Sequence, residues 1–295
     1  MSSADIAVKV FRKLQPPDFR ILLLIEAGMR KYQYVPEDYI VKLSNMGSER
    51  VIHILSQLNK MRLIRRWRGT YQGYVLNMAG YDCLAINAFV KAGVLEAFGK
   101  PLGVGKEADV YDALTPQNER IAIKFHRLGR TSFRQTRKKR DYAANRRHIS
   151  WLYQSRLAAK KEYQALKMLY PHQVAVPEPI LHNRHAIVMG IIEGVELADF
   201  SELPQPKEIF NEILSNVKKA YVKAGIIHAD LSEFNILLKP DRHILIIDWP
   251  QYVTCKHPNA EQLLKRDVQN VIGFFNRKHK LKISFKEALD YVKDC

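Results

Sequence analysis

The sequence predicts an α+β protein built from a small helical domain followed by a larger mixed domain. Apolar positions recur at helical spacing between residues 16 and 61, whereas segments of strand character flank a glycine-rich turn near residue 103. The character of the sequence changes near residue 92. A chain of 295 residues, 47% of them apolar, is long enough to bury a core in each domain.

The net charge and the cysteine content of the sequence limit the classes of protein to which the chain can belong. The 47 Lys and Arg residues outnumber the 30 Asp and Glu residues, and the net charge of +17 favours polyanionic partners such as nucleic acid or nucleotides. Cys83, Cys255 and Cys295 are far apart, so neither a zinc site nor a disulfide framework is predicted. The start lacks the apolar core of a signal peptide, and stretches such as "ILLLI" and "AIVMGII" are too short to span a membrane. We expect a cytoplasmic protein with no membrane partner.

The N-terminal region predicts three helices and a hairpin. The helices are "PPDFRILLLIEAGMR", "PEDYIVKLSN" and "GSERVIHILSQLNKM", and "RLIRRWRGTYQGYVLN" alternates around Gly69 as a two-stranded hairpin. On the third helix the expected apolar face is Val51, Ile52, Leu55, Leu58 and Met61. A further helix, "GYDCLAINAFVKAG", ends at Gly93. These elements predict a winged helix-turn-helix domain over residues 1–92.

The basic residues of this domain suggest a nucleic-acid surface. In a winged helix, residues 47–61 would form the recognition helix and the hairpin would lie near phosphates. The candidates are Arg50, Lys60, Arg65, Arg66 and Arg68. The alternative is a protein-docking module on whose surface these charges are only solvated.

A candidate phosphate-binding region lies at the start of the second domain. Gly103 and Gly105 in "GVGKEADVY" lack a Cβ, which lets backbone amides approach a phosphate, although an ordinary hairpin has the same composition. Lys124 in the strand "RIAIKF" is suited to reach a phosphate, or it is an edge lysine extending to solvent. Glu162, beside the packing face of "SRLAAKKEYQALKML", would pair with Lys124 or, less specifically, with Lys160 or Lys161.

Two short segments supply carboxylates and an amide. Asp230 and Asn235 lie in "HADLSEFNILL", in a loop before a strand, and Asp248 ends the buried strand of "HILIIDWPQ". Magnesium bound to nucleotide phosphates takes one or two protein carboxylates plus phosphate oxygens and water. Asn235 and Asp248 fit that need, which leaves Asp230 to orient or deprotonate a nucleophile. Each residue alone would also suit a turn.

In these stretches the sequence resembles the protein-kinase-like superfamily and, within it, the RIO family of atypical serine/threonine protein kinases. The similarity is strongest to the second RIO subfamily, and "HRLGRTSFR" and "VPEPILHNRHAIVMG" carry it further. The resemblance implies a winged helix-turn-helix domain followed by a reduced bilobal protein-kinase-like domain over 93–295. Its N-lobe would cover about 93–188, its hinge about 189–194 and its C-lobe about 195–295.

The resemblance also implies a role for individual residues. Asp230 would be the catalytic aspartate, and Asn235 and Asp248 would bind magnesium or manganese. The residue at the position of Asp248 is also thought to accept a phosphoryl group in this family. The residues implied to contact ATP or to hold its contacts are Gly103, Gly105, Lys106, Lys124, Glu162, Met189 and Ile191.

Differences from ordinary protein kinases indicate an unusual substrate. Asp248 lies in "IDWPQ", there is no D-F-G or A-P-E motif, and only residues 249–295 follow, so we do not expect a broad peptide groove. The family resemblance suggests an ATPase-like switch on the maturing small ribosomal subunit and its rRNA, with autophosphorylation. The short segment after the kinase core predicts an archaeal form.

The basic segment "HRLGRTSFRQTRKKRDYAANRRHIS" separates the Lys124 strand from the Glu162 helix. We expect a solvated, flexible loop, and flexibility is compatible with a loop next to the nucleotide that orders on rRNA. Thr131, Ser132 and Thr136 are candidate phosphoacceptors, because a phosphate there would find arginines nearby.

Two other classes of function compete with this interpretation. A small-molecule phosphotransferase of the aminoglycoside or choline kinase kind shares "H-x-D-x-x-x-x-N" and "I-D-W", but it would carry a sizeable acidic domain after the metal aspartate. A non-enzymatic nucleic-acid-binding protein would keep the fold and lose part of the set formed by Lys124, Glu162, Asp230, Asn235 and Asp248.

Overall fold

The structure is a computed structural model that describes residues 2–105, 107–128 and 151–294. The N-terminal region contains α1 (Ser3–Phe11), α2 (Pro16–Gly28), β1 (Val35–Pro36), α3 (Glu37–Ser44), α4 (Ser48–Lys60), β2 (Ile64–Arg68), β3 (Gln72–Leu76) and α5 (Met78–Lys91). The region that follows contains β4 (Ala97–Val104), β5 (Ala108–Leu114), β6 (Arg120–His126), α6 (Trp151–Leu169), β7 (Pro179–Asn183), β8 (Ala186–Gly190) and β9 (Val195–Glu196). The last part contains α7 (Pro206–Lys218), β10 (Ile226–Ile227), β11 (Ile236–Leu238), β12 (Ile244–Ile246), β13 (Val253–Thr254), α8 (Ala260–His279) and α9 (Phe285–Lys293).

The predicted α+β class is confirmed. The three predicted helices correspond to α2, α3 and α4, and the predicted hairpin corresponds to β2 and β3. The structure adds α1 and the short strand β1, which the sequence analysis did not predict. Within the described residues, no helix is both long and apolar enough to cross a membrane.

The N-terminal helices and hairpin form a winged helix. The three strands have the order β1-β3-β2, and β2 pairs antiparallel with β3 so that Trp67 lies opposite Gly73. On α4 the buried positions are Val51, Ile54, Leu55 and Leu58. The prediction for Ile52 was wrong, since this residue is 45% exposed. Ile54 replaces it because positions 51, 54, 55 and 58 follow the helical repeat.

The chain divides into two compact units, which are described separately. The first comprises residues 1–119, 124–155 and 183–186, and the second comprises 120–123, 156–182 and 187–295. The first unit therefore holds the winged helix together with β4 and β5. In the first unit, β4 pairs antiparallel with β5. The domain boundary near residue 92 stays a prediction.

A buried ionic network lies in the core of the first unit. Arg127 donates to Asp82 on α5 at 2.6 Å and to Asp109 on β5 at 2.8 Å, and all three side chains are at most 1% exposed. His185 contacts Asp82 at 2.6 Å, and burial lowers its pKa to about 4. Burial opposes ionisation of Asp82, but Arg127 and His185 outweigh it and hold the pKa of Asp82 below its usual value. The network thus joins α5 to β5 and to the end of β6 through charge-assisted hydrogen bonds.

The second unit packs its helices around short strands. β11 pairs with β12 and with β9, so the small sheet has the order β12-β11-β9. Phe210 of α7 and Phe275 of α8 meet edge to face at 5.4 Å in the core. The segment from 228 to 235, between β10 and β11, carries Asp230, the predicted catalytic aspartate, and Asn235, a predicted metal ligand.

Candidate active site

The predicted catalytic loop is anchored by a buried carboxylate on α8. Asp267 accepts hydrogen bonds from the backbone amides of Ala229 at 2.7 Å and Leu231 at 3.1 Å, the residues on either side of Asp230. Arg266 donates to the carbonyl of Ala229. Asp267 is 1% exposed, whereas Asp230 is exposed. The backbone is therefore fixed on both sides of Asp230 while its carboxylate stays accessible.

The ionisation of Asp267 is shifted by its surroundings. Burial raises the pKa of its carboxyl group to about 7, although the amides of Ala229 and Leu231 and the nearby Arg266 favour the charged form. The anchor of the catalytic loop therefore titrates close to neutral pH.

His228, just before the loop, packs against the Asp248 segment. Its imidazole lies 4.4 Å from the ring of Trp249, and Nε2 is 3.0 Å from the carbonyl oxygen of Ile247. Burial lowers the pKa of His228, which favours the neutral ring. A neutral Nε2–H donor to a carbonyl makes His228 a structural link between the two site segments.

Asn235 and Asp248 are brought together by strand pairing. Ile236 lies opposite Ile246 in the β11–β12 pair, and Ile247 donates its amide to the carbonyl of Asn235 at 2.9 Å. The next residue is Asp248, whose φ of 67° is left-handed and turns the chain as the strand ends. Both Asn235 and Asp248 are partly exposed.

The donor set of these two residues suits a hard divalent cation. The Asn235 Nδ2 group donates to the carbonyl of Asp230 at 2.8 Å, which leaves Oδ1 as the coordinating atom of that amide. An amide oxygen and a carboxylate match the oxygen ligands that magnesium takes when phosphates and water complete its shell. The part of the chain that the structure describes holds no cluster of three or more His, Cys, Asp or Glu residues able to bind a metal. A metal here would depend on ligands from the nucleotide.

The proposed hinge residues follow the end of β8. Met189 is 1% exposed and Ile191 is half-buried. Between them, Gly190 donates its amide to the carbonyl of Glu178 at 2.8 Å, and a Cβ at Gly190 would lie 3.3 Å from the Cβ of Glu178. The glycine therefore allows two backbone segments to approach closely.

The glycine-rich turn joins β4 to β5. Gly103 lies opposite Val110, and Gly105 donates its amide to the carbonyl of Ala108 at 2.8 Å. A Cβ at Gly103 would meet no atom within 4 Å. Neither steric space nor the backbone φ angle therefore requires glycine at position 103. The glycine leaves the backbone at this position without a side chain covering it. Lys106 lies outside the described residues.

Lys124 and Glu162 are both buried. Lys124 on β6 is 6% exposed and Glu162 on α6 is 2% exposed. Such burial does not fit the alternatives of a solvent-reaching edge lysine and a surface pair within one helix, because a buried charge needs a partner. Lys124 belongs to the first unit and Glu162 to the second, and their pairing stays a prediction.

The remaining sequence-based candidates have different positions. Arg50 and Lys60 are exposed on α4. On β2, Arg65 and Arg68 are exposed while Arg66 is half-buried. The phosphoacceptor candidates Thr131, Ser132 and Thr136 lie outside the described residues.

Asp267 is the residue of this site that the sequence analysis missed. It lies on the buried face of α8 among Leu264, Val268 and Val271, where an amphipathic helix normally places apolar residues. An acidic residue at a core position was the available signal, because a buried carboxylate requires hydrogen-bond partners.

This fold and site define a phosphotransferase of the protein-kinase-like class. Two family models match the chain, the Rio2 N-terminal domain over residues 11–92 and the RIO domain over residues 109–288. The RIO-type serine/threonine-protein kinase Rio2 of Methanocaldococcus jannaschii is 47% identical over 274 residues, which are 90% of this chain and 99% of that protein. The rio2 kinase of Dictyostelium discoideum is 37% identical over 97% of this chain and 54% of its own length.

A solved structure is similar as well. The crystal structure of the Rio2 kinase–ADP/Mg²⁺–phosphoaspartate complex from Chaetomium thermophilum has a TM-score of 0.82 at 35% identity, covering 98% of this chain and 89% of that chain. The chain belongs to the RIO family and, within it, to the Rio2 subfamily. It is a RIO-type, ATP-dependent serine/threonine-protein kinase. This assignment favours the kinase interpretation over that of a small-molecule phosphotransferase.

Proposed function

We propose that the chain couples Mg²⁺-ATP cleavage to transient phosphorylation of Asp248, with Asp230 as the catalytic aspartate. In this proposal Asn235 and Asp248 bind the metal, which neutralises charge on the transferring phosphoryl group when bound. The phosphoaspartate named for the Chaetomium thermophilum kinase supports the proposal. The observation that carries it is the pairing of β11 with β12, which brings Asn235 next to the segment ending in Asp248.

The chemistry needs one nucleophile and one leaving group. A carboxylate oxygen of Asp248 attacks the γ-phosphorus, the bond from that phosphorus to the β–γ bridging oxygen breaks, and ADP leaves with the electron pair. Water then attacks the acyl-phosphate phosphorus, which releases inorganic phosphate and restores the carboxylate. Asp230 accepts the proton of that water or of a serine or threonine hydroxyl.

The nucleotide-binding roles rest on the sequence motifs and on the burial of the charged pair. We assign the phosphates to the turn with Gly103, Gly105 and Lys106 and to Lys124, and adenine to the backbone at Met189 and Ile191. Glu162 has the role of holding Lys124. The low exposure of Lys124 and Glu162 supports these roles, because buried charges persist when they are paired.

The partner we propose is the precursor of the small ribosomal subunit and its rRNA, in the cytoplasm. The net charge of +17 and the exposed Arg50, Lys60, Arg65 and Arg68 support a polyanionic partner. The kinase activity would then act as a switch that reports the nucleotide state to the bound particle.

The proposal is tested by following ATP hydrolysis and autophosphorylation of the full chain with Mg²⁺ in three variants. Asp230→Asn and Asp248→Asn should each lower both activities by two orders of magnitude or more, as expected when a catalytic group is removed. Asp241→Asn, on an exposed turn, is the matched control and should leave both unchanged. Unchanged turnover in Asp248→Asn would contradict a role for this residue as nucleophile or ligand.

A further inference from the structure

The hairpin of β2 and β3, residues 64–76, is the wing of the winged helix, and its solvent-facing side carries an aromatic cluster. Because successive residues of a strand point to opposite faces, Arg65 and Trp67 share one face of β2 while Ile64, Arg66 and Arg68 share the other. Ile64 is buried in the core, so Arg65 and Trp67 face outward. The outward face of an antiparallel sheet is normally polar, and an aromatic cluster there calls for an explanation.

Three rings form this cluster, which we call the wing platform: Tyr34, Trp67 and Tyr71. Tyr34 stacks on Trp67 with 5.2 Å between ring centroids and 12° between ring planes, and Tyr71 meets Trp67 edge to face at 5.0 Å. Two polar contacts fix the rings. The Tyr71 hydroxyl donates to the carbonyl of Tyr34 at 2.9 Å, and Arg65 donates to the Tyr34 hydroxyl at 3.1 Å.

Two glycines make room for the platform. Gly73 of the central strand lies opposite Trp67, and a Cβ there would lie 2.9 Å from the Tyr34 Cβ and 3.0 Å from Tyr71 Cε2. A Cβ at Gly69 would lie 2.0 Å from the Trp67 ring. Glycines in or beside a strand often mark places where another group approaches closely, and here that group is the aromatic cluster itself.

One cationic group lies directly beside the platform. The Arg65 guanidinium carbon lies 5.6 Å from the centre of the Tyr34 ring, and Arg65 shares the outward face of β2 with Trp67. Tyr71 is 41% exposed, so its ring remains accessible to a ligand. A fixed, accessible aromatic ring beside an arginine is the combination that binds unpaired nucleic-acid bases, by stacking and by contact with the backbone phosphates.

We propose that the wing platform binds unpaired bases of RNA, with Tyr71 as the stacking residue and Arg65 as its cationic neighbour. The inference rests on the proposed function, in which the N-terminal domain meets rRNA, and it specifies single-stranded rather than duplex segments. An apolar peptide is the less favoured occupant because the charge of Arg65 would contribute nothing to its binding.

The test is fluorescence anisotropy with a labelled single-stranded RNA of about 12 nucleotides and a blunt-ended RNA duplex with strands of the same length, titrated with the full chain. Tyr71→Ala should weaken single-strand binding by about 5- to 150-fold, as expected for the loss of one stacked base, with little effect on the duplex. Tyr71→Phe keeps the ring and should retain most of the affinity, which separates stacking from misfolding.

The matched control is Tyr291→Ala on α9, since Tyr291 is 45% exposed and has the ammonium of Lys218 4.8 Å from its ring centre. This variant should bind both RNAs as tightly as the wild type.

Equal single-strand affinity for wild type, Tyr71→Ala and Tyr291→Ala would overturn the role of the wing platform and leave an RNA partner in place. A wild-type chain that binds neither RNA would overturn both the platform and the rRNA partner. Binding of a labelled apolar peptide that Tyr71→Ala weakens, together with equal RNA affinity of wild type and Tyr71→Ala, would assign the platform to a protein partner and overturn the proposal. Autophosphorylation, measured in parallel, reports on the kinase proposal independently.

Discussion

Replacing Asp267 with asparagine should change how the stability of the protein depends on pH. Burial raises the pKa of this carboxyl group from 3.8 to about 7 in the folded protein. The folded state therefore holds the proton more tightly than the unfolded chain. The contribution to stability is fully present below about pH 4 and is lost as the pH rises through about 7.

The magnitude follows from the shift. A difference of about 3 pKa units at about 1.4 kcal/mol each gives on the order of 4 kcal/mol lost between pH 4 and pH 7. Asparagine imitates the protonated carboxyl group in size and does not titrate. The unfolding free energy of wild type minus that of Asp267→Asn should thus fall by this amount over the window and stay level above it.

Urea unfolding of both proteins at several pH values measures that difference. Glu261→Gln is the control on the same helix, because Lys293 and Lys265 lower the pKa of Glu261 to about 2 and its difference should be level between pH 5 and pH 7. A wild-type advantage that grows with pH in the Asp267 pair would refute the reasoning. It would show that the amides of Ala229 and Leu231 outweigh burial and favour the carboxylate.

Two further predictions concern stability. Arg127→Leu leaves two buried carboxylates without their guanidinium and should cost about 3–5 kcal/mol in urea unfolding, whereas Arg120→Leu in an exposed ion pair should cost less than about 1 kcal/mol. Equal costs would contradict the burial argument. Gly194→Ala should cost about 1–3 kcal/mol, because φ is +143° and the new Cβ would lie 2.8 Å from the carbonyl oxygen of Leu238. Gly103→Ala, where a Cβ meets no atom within 4 Å, should change the unfolding free energy little, and a comparable loss there would count against the steric explanation.

Much of the fold was predictable from sequence because periodicity is a local property. The helical repeat located α2, α3 and α4, and alternation around Gly69 located the wing. Ile52 was misplaced because helical spacing allows adjacent registers, and only packing against the rest of the domain selects Ile54. Such registers are settled by tertiary contacts that a local pattern does not contain.

The residues of the site could likewise be predicted from the sequence only where they lie in local motifs. Asp230, Asn235 and Asp248 were found because their motifs are short and contiguous, and the resemblance assigned their roles. Asp267 lies 37 positions beyond Asp230 in a different element, so only folding joins the two. The stacking of Tyr34 on Trp67 was equally invisible, since it depends on strand register and on the absence of a side chain at Gly73.

In the proposed function, Asp248 receives the phosphoryl group of ATP. The most direct measurement is single-turnover incubation of the full chain with labelled ATP and Mg²⁺, followed by hydroxylamine treatment of the trapped label. Hydroxylamine cleaves acyl phosphates and spares phosphoserine and phosphothreonine. We expect a labile fraction that is absent in Asp248→Ala and retained in the control Asp241→Asn. Label that is wholly stable to hydroxylamine and undiminished in Asp248→Ala would contradict it.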